Sequence, residues 1–202
     1  MRARDIMTSP VVTVRADTPI KEAAAMLASR GFTALPVVDK EGRLVGIVTE
    51  ADLVRDRIPH DPRHLMHCDA VPQQLPSRPT VGEIMTFPVS VTGPGTDVAA
   101  LAATLLDAGQ RSMPIVDNGR LVGIVTRRDL VRIVGREDSA IANDVRHRLE
   151  IYGGSGRWQV DVHDGVVTID DTYDDATDRH VAAVLAEAVP GVLRATVLSG
   201  QR

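Results

Sequence analysis

An internal repeat constrains this chain more than any other feature. Asp5-Ile6-Met7-Thr8-Ser9-Pro10 returns 78 residues later as Glu83-Ile84-Met85-Thr86-Phe87-Pro88. The same offset carries Pro36 onto Pro114, Val38 onto Val116 and Asp39 onto Asp117. One residue is then lost where Lys40-Glu41-Gly42 faces Asn118-Gly119, and from there the offset is 77. Arg43-Leu44-Val45-Gly46-Ile47-Val48-Thr49 matches Arg120-Leu121-Val122-Gly123-Ile124-Val125-Thr126, and Asp52-Leu53-Val54 matches Asp129-Leu130-Val131. A match this long, with its single gap in a turn, predicts two copies of one supersecondary unit. Either copy is too small to bury its own apolar face well, so the two are expected to pack together.

Within each copy the pattern reads as a mixture of strands and helices. Val11 to Val14 predicts a short strand. Thr18 before Pro19 reads as an N-cap followed by a first helical residue. The alanine-rich stretch from Ala23 to Ser29 continues that helix, and Gly31 stops it. Leu35 to Val38 and Arg43 to Val48 read as a strand pair joined through the turn at Asp39 to Gly42. A second helix is expected from about Thr49. In the second copy Thr96 caps, Gly109 stops, and Met113 to Val116 and Leu121 to Val125 are strands. Between the copies lies a connecting segment, Arg55 to Pro79, punctuated by Pro59, Pro62, Pro72, Pro76 and Pro79.

After Gly135 the repeat ends and the composition changes. Residues 136–202 carry 7 Lys+Arg against 12 Asp+Glu, a net charge of −5 that accounts for the chain's overall −4. The order there reads helix, strand, strand, helix, strand. Ser139 is a candidate cap for Ala140 to Leu149. Trp158 to Val162 alternates with a period of two, as a half-buried strand does. Asp164-Gly165 is a hairpin signal, with Val166 to Ile169 returning. Asp178 to Val189 reads as a helix with Val181, Val184, Leu185 and Ala188 on its apolar face. Pro190-Gly191 ends it, and Val192 to Leu198 is a last strand. Trp158 reads as a core anchor.

Composition narrows the function classes. One cysteine, Cys68, makes no internal disulfide and no multi-cysteine metal fold. A net charge of −4 is no footprint for a nucleic-acid backbone. An aromatic content of 2% is too small for a base-stacking platform. No run of about 18 apolar residues is present to span a membrane, and the opening Met1 to Pro10 lacks the apolar core of a secretory signal. The expectation is a cytoplasmic protein.

The sharpest chemical motif is Gly46-Ile47-Val48-Thr49-Glu50-Ala51-Asp52 with its partner Gly123-Ile124-Val125-Thr126-Arg127-Arg128-Asp129. In each, a strand ends and a helix begins. A glycine lets backbone approach a ligand closely, while a threonine hydroxyl and the free N–H groups of a first helical turn suit a phosphate. The aspartate three residues on, Asp52 or Asp129, can accept from both hydroxyls of a ribose. Phosphate donor and diol acceptor one turn apart describe a nucleotide. The same Thr-x-x-Asp spacing is also a helix capping box, which needs no ligand.

The repeat resembles a tandem pair of CBS (cystathionine-β-synthase) domains, a Bateman module. The residues that carry the resemblance are the Ile-Met-Thr-x-Pro openings, the Leu-Pro-Val-Val-Asp and Met-Pro-Ile-Val-Asp strands, and the Gly-Ile-Val-Thr-x-x-Asp closings. The tail resembles a BON domain through Val160 to Ile169 and Val189-Pro190-Gly191-Val192, although Asp170-Asp171 stands where BON sequences usually place a glycine. The implied architecture is α/β (α+β): two pseudo-symmetric CBS repeats at 1–58 and 80–135, a linker at 59–79, and a small α-β-β-α-β BON-like domain at 139–202.

The CBS resemblance implies that Thr49 and Asp52, and Thr126 and Asp129, contact the ribose and phosphate of adenosyl ligands. Val12, Thr13, Met113 and Pro114 would line the adenine pocket; plain core packing also accounts for them. Arg111, Arg127 and Arg128 are candidate phosphate forks for the Asp129 site. Thr33, Glu50 and Ala51 stand at the matching places of the first copy, where Glu50 would repel phosphate. The Asp129 site is therefore expected to prefer the phosphorylated ligand, and the Asp52 site to be weaker or to take a less charged one. CBS sites can also borrow phosphate contacts from the other repeat.

His60, His64, His67 and Cys68 would share a face if helical and suit zinc, but Pro59 and Pro62 favour a polar linker. BON-like sequences are linked to phospholipid surfaces, yet a tail of charge −5 is repelled by anionic headgroups. The resulting expectation is a non-enzymatic regulatory sensor. It binds adenine nucleotide (AMP, ADP, ATP or a related adenosyl ligand) without a cofactor, forms a homodimer, and offers its tail to a protein partner. The competing reading is a constitutive adapter in which both Thr-x-x-Asp motifs are only caps.

Overall fold

The computed structural model describes residues 1–55, 57–58, 79–173 and 175–199. The chain divides into two compact units. One consists of 8–94 and 109–124, the other of 1–7, 95–108 and 125–202. The fold is mixed α/β, as expected, with small sheets packed by helices.

In the first of these units, α1 (Ile20–Arg30) precedes the antiparallel pair β1 (Ala34–Val38) and β2 (Leu44–Thr49), and α2 (Glu50–Val54) follows directly. Gly31 closes α1 in the left-handed conformation, φ 63°, where a residue without Cβ is favoured. Val14, Ile20, Ala23, Leu27, Leu35, Val37, Val48, Leu53 and Val81 form one apolar core. Val81 comes from the second repeat, so this core belongs to neither copy alone. β3 (Ser112–Asp117) and β4 (Arg120–Thr126) repeat the hairpin.

The repeats also exchange their opening turns. Thr80 bridges Pro19, and the Ile20 N–H donates to the Pro79 carbonyl at 3.1 Å. In the other unit Arg2 bridges Asp97, and the Val98 N–H donates to the Met1 carbonyl at 3.2 Å. The start of each first helix is thus satisfied by backbone from the opposite copy. This is why Thr18 and Thr96 are not the caps their sequence suggests. The N-cap positions are Pro19 and Asp97, neither with a side-chain cap bond, and Thr18 Oγ1 instead accepts from the Arg15 N–H at 3.0 Å.

The expected strand at Val11 to Val14 is reduced to one parallel bridge, Val14 to Val37. The Val14 N–H donates to the Pro36 carbonyl and the Val38 N–H donates to Val14. The next rung would need an N–H at position 36, which proline lacks. Thr92 and Ile115, beside Pro114, repeat this single rung.

The other unit holds α3 (Val98–Asp107), α4 (Arg127–Val134) and the tail: α5 (Asp138–Gly153), β5 (Trp158–His163), β6 (Val166–Asp171), α6 (Ala176–Glu187) and β7 (Arg194–Ser199). The sheet order is β5-β6-β7, with β5 antiparallel to β6 and β6 parallel to β7. The parallel pair requires a crossover, which α6 provides. Asp164 and Gly165 form the two-residue hairpin loop with φ 48° and 75°. Asp138 fixes that loop by accepting from both of its N–H groups, at 2.8 and 3.0 Å.

Two expectations for the tail shift. Helix α5 starts at Asp138 with Glu137 as N-cap, so Ser139 lies inside it. The buried stripe of α6 runs through Ala182 and Ala186, while Val184 is 52% exposed. The fully buried residues of α6 are thus its small Ala182 and Ala186. Trp158 anchors the core, 6% exposed among Ile141, Val145, Leu149, Val167 and Ile169.

Candidate functional site

Thr49 and Asp52 join the end of β2 to the start of α2. Asp52 Oδ2 accepts from the Thr49 N–H at 2.9 Å and from its hydroxyl at 2.7 Å, and Thr49 Oγ1 accepts from the Asp52 N–H at 3.4 Å. Thr126 and Asp129 form the same closed box at the start of α4, with 2.8, 2.7 and 3.4 Å for the equivalent contacts. Both motifs are therefore helix caps. Only one oxygen of each carboxylate is used in this way.

The second oxygens differ. Asp129 Oδ1 accepts from Arg132 Nη1 at 3.1 Å, and Asp129 is buried, 6% exposed. Among the described residues, none donates to Asp52 Oδ1, and Asp52 is half-buried. A half-buried carboxylate oxygen with an open lone-pair direction is a ready acceptor for a hydroxyl.

A cleft of about 380 Å³ opens beside the Thr49 motif, within one compact unit. That volume lies in the range of small-molecule sites. Thr49, Glu50 and Ala51 form one wall, and Thr33, Ala34 and Ile47 the adjoining strand side. Thr86, Pro88, Val89 and Ser90 come from the opening of the second repeat, and Gly109 to Ser112 close the remaining side. The swapped openings bring these segments together: the Ile47 N–H donates to the Thr86 carbonyl at 3.2 Å, and the Thr86 N–H returns the bond at 2.8 Å. Gln110 Nε2 donates to Ser90 Oγ at 3.1 Å, tying the second repeat's two contributions.

Arg111 lines this cleft and pairs with Glu50, Nη1 to Oε2 at 3.3 Å. It thus stands beside the first copy's motif. Arg127 donates from Nη2 to the Leu105 carbonyl at 2.8 Å, satisfying a carbonyl in the last turn of α3. Arg128 is exposed on α4. Met113 and Pro114 are buried in β3, while Val12 and Thr13 are half-buried in the segment leading to Val14. None of these four lines the cleft.

Sequence reasoning missed Thr86, Val89 and Ser90. The signal was present, since the 78-residue offset carries Val11 onto Val89 and Val12 onto Ser90. Gly46 has a different role from the ligand approach expected of it. A Cβ there would overlap Met85 Sδ, so the glycine makes room for the second repeat's methionine.

His60, His64, His67 and Cys68 lie outside the described residues. Among the described residues, no group of three or more His, Cys, Asp or Glu could hold a metal ion. No described helix is long and apolar enough to cross a membrane.

The tail's polar centre is Arg157, with a side chain 12% exposed. It donates from Nε and Nη2 to both oxygens of Asp171 at 2.8 Å, and Nη2 also meets Asp178 at 2.7 Å. Its guanidinium lies 4.2 Å from the centre of the Trp158 ring and 5.3 Å from that of Tyr173. The bonds from Arg157 hold the Asp171 carboxyl below the usual carboxylate range, against the opposing effect of burial. The Tyr152 hydroxyl, donating at 2.8 Å, and then Arg157 hold Asp178 low as well. That same hydrogen bond raises the Tyr152 phenol.

The CBS domain family model matches residues 3–58 and 81–136. Residues of this chain are 28% identical over 134 residues to protein MJ1225 of Methanocaldococcus jannaschii, covering 66% of this chain and 43% of that protein. They are 32% identical over 133 residues to the L-aspartate semialdehyde sulfurtransferase of the same organism, covering 65% of this chain and 23% of the enzyme. The chain thus spans less than half the length of either relative. Among solved structures, the CBS domain pair of protein MJ0100, in complex with 5′-methylthioadenosine and S-adenosyl-L-methionine, is 29% identical with a TM-score of 0.52. The match covers 67% of this chain and 96% of that one. CBSX2 in complex with AMP is 30% identical with a TM-score of 0.52, covering 65% of this chain and 93% of that one. With its repeat matched twice by the family model and its fold shared with solved CBS pairs, the chain belongs to the CBS domain family and carries a tandem CBS pair, a Bateman module.

Proposed function

We propose that this protein is a regulatory sensor whose CBS pair binds an adenosyl ligand in the cleft beside Thr49 and Asp52. The observation that carries the reading is the cleft of about 380 Å³ built from both repeats against Thr49, Glu50 and Ala51, with Asp52 following its wall in the chain and no described residue donating to Asp52 Oδ1. A ribose diol would donate to Asp52, and the adenine would lie against Val89, Pro88 and Ile47. Thr126 and Asp129 form the equivalent motif of the second repeat, with Val12, Thr13, Met113 and Pro114 as its candidate adenine contacts and Arg127 and Arg128 as candidate phosphate contacts. Similar CBS pairs solved with AMP, 5′-methylthioadenosine or S-adenosylmethionine support the ligand class. The protein acts by binding rather than catalysis. Its output runs through a homodimer and through the tail, read as a BON-like protein-interaction domain.

One observation favours the adapter reading. Both capping boxes are complete without a ligand, so neither motif needs one to hold its helix. Calorimetric titration with AMP, ADP, ATP and S-adenosylmethionine separates the two. A sensor gives saturable binding that Asp52→Ala weakens at least tenfold. An adapter gives no heat with any of the four at millimolar concentration.

A further inference from the structure

Among the described residues that line the cleft, Glu50 and Arg111 are the only charged ones. They pair across it at 3.3 Å, although they lie 61 residues apart in the chain. The Glu50 backbone is held in place, its N–H donating to the Thr33 carbonyl at 3.2 Å. Arg111 is the cation that a ligand phosphate in this cleft would seek. Here its charge is already met by a carboxylate. The repeat offsets place Arg127 where the first copy has Glu50, and Thr33 where the second has Arg111. The acid is thus particular to this motif.

We propose that Glu50 is a specificity-determining residue that selects ligands by charge. By occupying Arg111 it disfavours a 5′-phosphate, so the cleft prefers an adenosyl ligand whose 5′ substituent is neutral or cationic. The inference rests on the adenosyl-binding reading and adds the ligand's charge class. A phosphate entering the cleft competes with the Glu50 carboxylate for Arg111 and sits beside that carboxylate's negative charge. A thioether or sulfonium at the same place faces no such competition, and a cation gains from Glu50.

The test is paired calorimetric titration of the full chain and of Glu50→Gln with AMP and with 5′-methylthioadenosine, which share adenosine and differ at the 5′ position. The parent is expected to bind 5′-methylthioadenosine more tightly than AMP. Glu50→Gln is expected to tighten AMP by about fivefold, the upper range for removing one exposed charge beside another. Its affinity for 5′-methylthioadenosine should stay within about twofold of the parent. Arg111→Gln should abolish the gain when combined with Glu50→Gln. Tighter AMP binding in the parent, or an equal change for both ligands, overturns the charge selection and leaves adenosyl binding standing. No binding of either ligand to either protein overturns the proposed function and this inference with it.

Discussion

Asp171 is the residue whose removal should cost the tail most. Its side chain is fully buried, accepts both bonds of the Arg157 fork at 2.8 Å, and accepts from the Tyr173 N–H at 3.0 Å. Asp171→Ala leaves a nearly buried guanidinium with one remaining carboxylate partner, Asp178. Breaking a buried ion pair from one side typically costs about 3–5 kcal/mol. The remaining contact and the slight exposure of Arg157 place the expectation at the low end, about 3 kcal/mol. Against a typical domain stability of about 5–15 kcal/mol, that is a large fraction. Trp158 is the chain's single tryptophan and lies under the Arg157 guanidinium, so its fluorescence reports this region directly. Urea unfolding followed at Trp158 should show a lower midpoint with an unchanged slope. Replacing both partners, as Arg157→Met with Asp171→Leu, should recover part of the loss, because it leaves no unpaired buried charge. A loss below about 1 kcal/mol for Asp171→Ala would place the pair with exposed salt bridges and refute the reasoning.

Other outcomes follow from the same geometry. Gly46→Ala forces Met85 from its place and should destabilise the CBS pair by about 1–3 kcal/mol, read by thermal unfolding. Gly191→Ala should destabilise the tail in the Trp158 signal, since Gly191 has φ 95° and a Cβ there would lie 2.8 Å from Ile141 Cδ1. Asp171 and Asp178 have folded pKa values below their unfolded ones, so their stabilisation is present above the usual carboxylate pKa and is lost as pH falls through the folded values. The Trp158 transition should therefore weaken below about pH 4, and Asp171→Asn should flatten that dependence.

The repeat, the hairpins and the tail's element order are legible in the sequence because they rest on local patterns: offset, alternation and turn residues such as Asp164-Gly165. The first-helix caps are not legible, because backbone from the opposite repeat fills the donors that Thr18 and Thr96 would have met. The strand at Val11 to Val14 fails for a reason visible only once Pro36 is its neighbour. The Thr-x-x-Asp motifs can be read from spacing alone. The pairing of Arg111 with Glu50 cannot, since it depends on which repeat supplies each wall of the cleft. Gly46 shows the same limit: a glycine that admits Met85 and one that admits a ligand look alike in a sequence.

The most direct test of ligand sensing is calorimetric titration of S-adenosylmethionine and AMP into the parent and Asp52→Ala, with unfolding temperature measured in parallel. The account predicts saturable binding by the parent, a ligand-dependent rise in its unfolding temperature, and a marked weakening of both in a folded Asp52→Ala protein. Binding that persists unchanged in Asp52→Ala, or no binding by the parent at millimolar ligand, would contradict it.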